Sequence, residues 1–144
     1  WQLRDGRLER HGSPAVRVRR GAFQAVLQQS DLVISMAGTA AEQAVGLAKP
    51  VLQLPGQGPQ FTASFAEAQR RLLGPTVFCA PGDSGSQENL SISAQMALQL
   101  LKRIQQNVDF QQQCHTEAQR RLGSSGGGLR MASAIGGLCP STAP

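Results

Sequence analysis

The stretch DLVISMAGTAAEQAVGLAKPVLQLPG, residues 31–56, constrains this chain more than any other. It opens on Leu32-Val33-Ile34, an apolar run without alternation, as expected of a strand covered on both faces. Ala37-Gly38-Thr39 breaks the run, and the alanine-rich segment from Ala40 to Ala48 has high helical propensity. Pro50 ends that helix, and Val51, Leu52 and Leu54 make the next apolar strand. Strand, helix and strand in this order imply parallel strands joined by right-handed crossovers. The strand ending at Met36 is expected to be central in the sheet.

The rhythm continues on either side. Val16 and Val18 alternate with arginines between Ala15 and Arg19, which reads as a short strand near an edge. Phe23, Val26 and Leu27 follow at helical spacing and stop near Ser30. After the loop from Pro55 to Pro59, residues Gln60 to Leu73 read as an amphipathic helix carrying Phe61, Phe65, Ala68 and Leu72 on one face. Glu67 is placed in it to pair with Arg71. Gly74-Pro75 terminates that helix, and Thr76 to Ala80 reads as a strand.

The last third reads as helical. Ser84 and Gln87 have capping-box spacing ahead of a long helix with Leu90, Ala94, Ala97, Leu98, Leu101 and Ile104 on its stripe. Asn107 is placed to cap a further helix through Phe110, Cys114, Ala118 and Leu122, which stops at Gly123. Leu129 to Leu138 is expected to form a final helix with Ala132 and Ile135 inward. The expected fold is therefore α/β, a Rossmann-like doubly wound parallel sheet with helices on both faces. Residues 1–14 read as an irregular remnant of a preceding segment and 15–122 as the α/β domain. Residues 123–144 read as a hinge, a short helix and a frayed tail.

Composition narrows the function classes. The 144 residues suit one domain, 40% of them are hydrophobic, and no apolar run approaches a membrane span. The chain starts at Trp1 in polar sequence, with no targeting segment visible, and a fragment of a longer protein is the expectation. Net charge is +5, and four of those charges come from the six arginines among the first twenty residues. Such a stretch is read as a nucleic-acid footprint, as a neighbour of a diphosphate, or as a solvated edge. The low aromatic content and the absence of tyrosine argue against nucleic acid. Three widely spaced cysteines with only His11 and His115 fit neither a disulfide framework nor a metal site, so no metal is expected. Cys79 and Cys114 read as small buried hydrophobes in a reducing, cytoplasmic compartment, and Cys139, in a tail rich in Gly, Ser and Pro, as buried or simply exposed.

In a parallel sheet, ligands bind at the carboxyl ends of the strands. Those ends are Arg20-Gly21, Met36 to Thr39, Pro55 to Pro59 and Pro81 to Ser84. At the second of them, the free amides of Thr39, Ala40 and Ala41 at a helix start would attract a phosphate, and Gly38 would let it approach. The other reading makes Thr39 an ordinary N-cap.

Several of these residues carry a family resemblance. Ala37-Gly38-Thr39, Glu42-Gln43, Ala48-Lys49-Pro50 and Pro55-Gly56-Gln57 stand in the order found in the nucleotide-sugar-binding domain of two-domain, GT-B type glycosyltransferases and UDP-GlcNAc epimerases. Lipid-A-disaccharide synthase and the lipid II-forming N-acetylglucosaminyltransferase are similar. The segment AGTAAEQAVGLAKPVLQLPGQGPQFT resembles still more the cyanobacterial lipid-A-disaccharide synthase-related group. The resemblance spans Val16 to Ala80 and implies the C-terminal half of a GT-B fold, truncated on its N-terminal side. It implies a UDP-sugar as substrate, with no separate cofactor.

By that resemblance Ala37, Gly38, Thr39 and Ala40 bind the diphosphate. The ribose falls to Gln43 or to Glu42, where the family carries an acid at the position of Gln43. Gln57 and Gln60 lie near the donor sugar, or form only a polar loop between prolines. Arg20 and Gly21 neighbour the nucleobase. The acceptor domain that usually holds the catalytic base has no counterpart here, so no catalytic residue is assigned, and the chain is expected to bind without turnover. The implied partners are a nucleotide-sugar and the missing acceptor domain, through which the parent protein would touch the inner face of a membrane. The alternative is an α/β binding module that has lost the nucleotide.

Overall fold

The computed structural model describes residues 1–36, 38–56, 58, 62–82 and 86–138. The chain divides into two compact units, Trp1–Ser30 and Asp31–Pro144.

The first unit is an antiparallel sheet followed by a short helix. β1 (Gln2–Arg4) and β2 (Arg7–Glu9) form a hairpin, and β3 (Val16–Arg17) pairs antiparallel with β2. Asp5 and Gly6 take φ of 47° and 72° at the hairpin tip. Two successive positive φ values are the signature of a type I′ turn, for which Asp-Gly is a preferred pair. Residues 2–9, read from sequence as irregular, are thus ordered by their turn chemistry. The strand anticipated at 15–19 does exist, but it joins this antiparallel sheet and not the parallel one. α1 (Phe23–Gln29) closes the unit, with Leu27 its buried residue.

The second unit holds the parallel sheet. β4 (Val33–Ile34), β5 (Val51–Gln53) and β6 (Val77–Cys79) lie side by side in sequence order. α2 (Gly38–Gly46) connects the first pair and α3 (Ala63–Leu73) the second. Successive crossovers of one hand in one direction put both helices on the same face, and α2 and α3 touch each other. The two faces are separated by side-chain alternation in β5. Gln53 meets Gln69 of α3, whereas Leu52 packs with Leu100 of α4 (Gln87–Gln106) and with Phe110 and Cys114 of α5 (Val108–Leu122).

β5, not β4, is the central strand. All three of its residues are buried, while Ile34 in β4 is 53% exposed. An apolar run reports that a strand's faces are covered, and it carries no information about a lateral neighbour. Among the described residues, the parallel three-stranded sheet places β4 at its edge.

Helix ends follow the expected chemistry with two shifts. Asn107 caps α5, its Oδ1 accepting from the Phe110 amide at 2.8 Å, and Gly123 follows the last turn. α4 is capped by Ser86, whose hydroxyl accepts from Asn89 N at 3.1 Å. The earlier candidate, Ser84, lies outside the described residues. The buried stripe of α4 runs through Ser93, Met96, Ala97, Leu100 and Ile104, leaving Leu90 and Leu98 exposed. The final helix, α6 (Gly127–Leu138), has no buried residue, and Ile135 is 59% exposed. Its apolar side is therefore not inward.

α2 ends in a Schellman motif. Ala48 N donates to Val45 O and Lys49 N to Ala44 O, both at 2.9 Å, with Ala48 at φ 57°. A β-carbon in the left-handed region costs roughly 1–2 kcal/mol, partly offset here because the Ala48 methyl packs against the core. Ala48→Gly is expected to raise the unfolding free energy by about 0.5–1 kcal/mol. Urea unfolding checks it, and a loss of stability would show that the methyl contact outweighs the backbone strain.

Candidate functional site

The carboxyl ends of the three parallel strands open into a cavity of about 530 Å³. Met36 follows β4, Leu54, Pro55 and Gly56 follow β5, and Ala80, Pro81 and Gly82 follow β6. Of the four strand-end segments expected to form a ligand rim, three contribute described residues here: Met36 from the segment after β4, Pro55, Gly56 and Gly58 from that after β5, and Pro81 and Gly82 from that after β6. The fourth, Arg20-Gly21, belongs to the first unit, where both residues are exposed. The opposite wall is the first turn of α3, through Thr62, Ala63, Ala66 and Glu67. Thr62 is its N-cap, accepting from Phe65 N at 3.2 Å. A volume of this size suits a small organic ligand.

The cavity floor is polar and buried. Gln53, which lines the cavity, is 4% exposed, and its partner Gln69, which does not line it, is 8% exposed. The Gln53 Nε2 group donates to Gln69 Oε1, and the Cys79 thiol donates weakly to Gln53 Oε1 at 3.7 Å. Burial pushes the Cys79 thiol upward, so it stays protonated and able to donate. Cys114, away from the cavity, is pushed up to about 11 by burial, with Arg103 acting in the opposite direction.

Glu67 is the charged residue of the wall. Its carboxylate takes two hydrogen bonds from Arg70, at 2.7 and 2.8 Å, and one from Arg71 at 3.0 Å. The Arg71 pair was expected from its spacing; Arg70 completes a fork. Hydrogen bonding by Arg70 first, then by Arg71, lowers the Glu67 carboxyl to about 2. A carboxyl lowered on folding stabilises the fold fully above its unfolded value, and loses that contribution as pH falls through about 2. The side chain is 38% exposed, so the contribution is small and weakens in salt. Carboxyl-carbon NMR is expected to show Glu67 still ionised at pH 3; a midpoint near 4.5 would contradict the fork.

The residues assigned by resemblance are distributed as follows. Gly38, Thr39 and Ala40 form the first turn of α2, with Thr39 exposed and Gly38 and Ala40 half-buried. None of the three lines the cavity. Gln43 and Glu42 are both exposed on α2. Ala37, Gln57 and Gln60 lie outside the described residues. Gly38 has a second reason to be glycine. A β-carbon there would stand 2.6 Å from Gln69 Nε2 and 4.0 Å from the Phe65 ring. The missing side chain leaves the space that Gln69 uses to reach Gln53.

Gln53, Gln69, Thr62 and Cys79 were not singled out as site residues from sequence. Gln53 had a visible signal, since it is the polar residue inside the apolar run Val51 to Leu54. Among the described residues, no group of three or more His, Cys, Asp or Glu side chains is placed to hold a metal ion. Nor is any described helix long and apolar enough to cross a membrane. No protein-family model, curated protein or solved structure matches this chain.

Proposed function

We propose that this chain is the donor-binding part of a glycosyltransferase-like protein and takes a UDP-sugar at the carboxyl edge of its parallel sheet. The observation that carries the reading is the cavity where three strand ends and the capped start of α3 converge. Ligand sites of open α/β sheets lie at this edge. The start of α2 at Gly38, after β4 ends at Ile34, supports the reading too, because the first-turn amides of a helix favour a diphosphate. The parallel strands and the helices against both faces are compatible with the Rossmann-like half of a GT-B fold. The acceptor and its catalytic base belong to another domain in this reading, so the chain binds without turning over, and nucleic acid is not a partner.

A second reading, an α/β module without nucleotide binding, draws on one observation. Gln43 and Glu42 are exposed, and neither lines the cavity. Calorimetric titration at low salt separates the two. The first reading expects UDP to bind and uridine to bind at least tenfold more weakly, because the helix start favours negative charge. Equal affinities for the two, or heat from neither, favour the module.

A further inference from the structure

Gln53 is nearly fully buried, yet lines the cavity from the end of the central strand. An amide carries two N–H donors and two acceptor lone pairs. One N–H of Gln53 goes to Gln69 Oε1, and one lone pair of its Oε1 takes the Cys79 thiol. Among the described residues, one donor and one acceptor of this amide are left without a partner. A hydroxyl group, which both donates and accepts, matches that pair.

The charge of the surroundings points the same way. Among the described lining residues, the charged one is Glu67, and its carboxylate is held by Arg70 and Arg71. No described cation lines the cavity, so an anion seated on this floor would be desolvated without a counter-charge, at a cost of several kcal/mol. An uncharged hydroxyl meets no such penalty.

The orientation of the Gln53 amide is itself supported from behind. Gln69 reaches Gln53 from α3 through the space over Gly38. Without Gln69, the Gln53 amide could rotate and present either edge.

We propose that the cavity floor is a subsite for an uncharged, hydroxyl-bearing group, that Gln53 reads this group, and that Gln69 is the positioning residue that fixes the Gln53 amide. This rests on the nucleotide-sugar reading and deepens it: the charged part of the ligand lies toward α2, and the hydroxyl-rich part sits over β5.

The test titrates the 144-residue chain and two variants with UDP, UDP-glucose and UDP-N-acetylglucosamine. Gln53→Met and Gln69→Met are expected to weaken whichever UDP-sugar binds by about tenfold, the effect of one lost hydrogen bond to a buried partner. UDP itself should change less than twofold. Side-chain amide NMR supplies a readout without ligand: the Gln53 amide protons should exchange slowly in the unmodified chain and faster in Gln69→Met. Unchanged UDP-sugar affinity in both methionine variants overturns the subsite while leaving the nucleotide reading intact. So does an equal loss for UDP, which would place Gln53 near the charged group. If the unmodified chain binds none of the three probes, the nucleotide reading fails and the subsite with it. A Gln53 amide signal that ignores Gln69→Met overturns the positioning role.

Discussion

Leu52→Ala is expected to lower the unfolding free energy by about 3 kcal/mol. Leu52 is fully buried at the middle of the central strand and packs with Leu100, Phe110 and Cys114. Removing its isobutyl group leaves a cavity that those neighbours, tied to two different helices, fill only in part. For a domain of this size the loss is a large share of the total stability. Leu98→Ala, on the exposed side of the same helix as Leu100, should change stability by less than about 0.5 kcal/mol. Urea unfolding of the two variants measures both. Equal costs would mean that the face of the sheet bearing Leu52 is not the core.

Gly38→Val is the second large effect, and it acts on the site. The added β-carbon would meet Gln69 Nε2 at 2.6 Å and stand 4.0 Å from the Phe65 ring. Gln69 then has to leave Gln53, which exposes two buried amides to mispairing at about 1–3 kcal/mol. On the nucleotide-sugar reading, UDP-sugar binding should fall below detection, through loss of the Gln53–Gln69 pair and crowding of the α2 start together. Gly38→Ala should give a weaker form of both effects. Full UDP-sugar affinity in Gly38→Val would remove both Gly38 and Gln69 from the site.

Much of the second unit was legible from residues 31–80. The strands at Val33, Val51 and Val77, and the helices between them, follow from apolar runs broken by Gly38, Pro50 and Gly74-Pro75. Those breaks act through local backbone chemistry, which sequence reports directly. The place of β4 at the sheet edge was not legible, because an apolar run is the same whether one neighbour or two flank it. The N-terminal hairpin has a local signal in Asp5-Gly6, a preferred turn pair, but its flanking strands are only three residues long and rich in arginine, so they carry little alternation.

The site was legible at the level of loops and not of side chains. That cavity-lining loops follow β4, β5 and β6 comes from the parallel topology alone. Which side chains floor the cavity depends on tertiary contacts between residues far apart, such as Gln53 with Gln69 and with Cys79. A polar residue inside an apolar strand was the one local hint. The stripe of α4 was displaced for a related reason: Ser93 is buried and Leu98 is exposed, so tertiary packing overrode hydrophobicity.

The most direct test of the central claim is an amide-resolved NMR titration of the chain with UDP. Binding at the carboxyl edge of the sheet predicts that the amides from Gly38 to Ala41 move most, followed by those of Leu54, Gly56, Thr62 and Ala63. The amino ends of the strands, at Val33, Val51 and Val77, should stay still. Shifts confined to the first unit, or spread evenly over the chain, would contradict a nucleotide site at this edge.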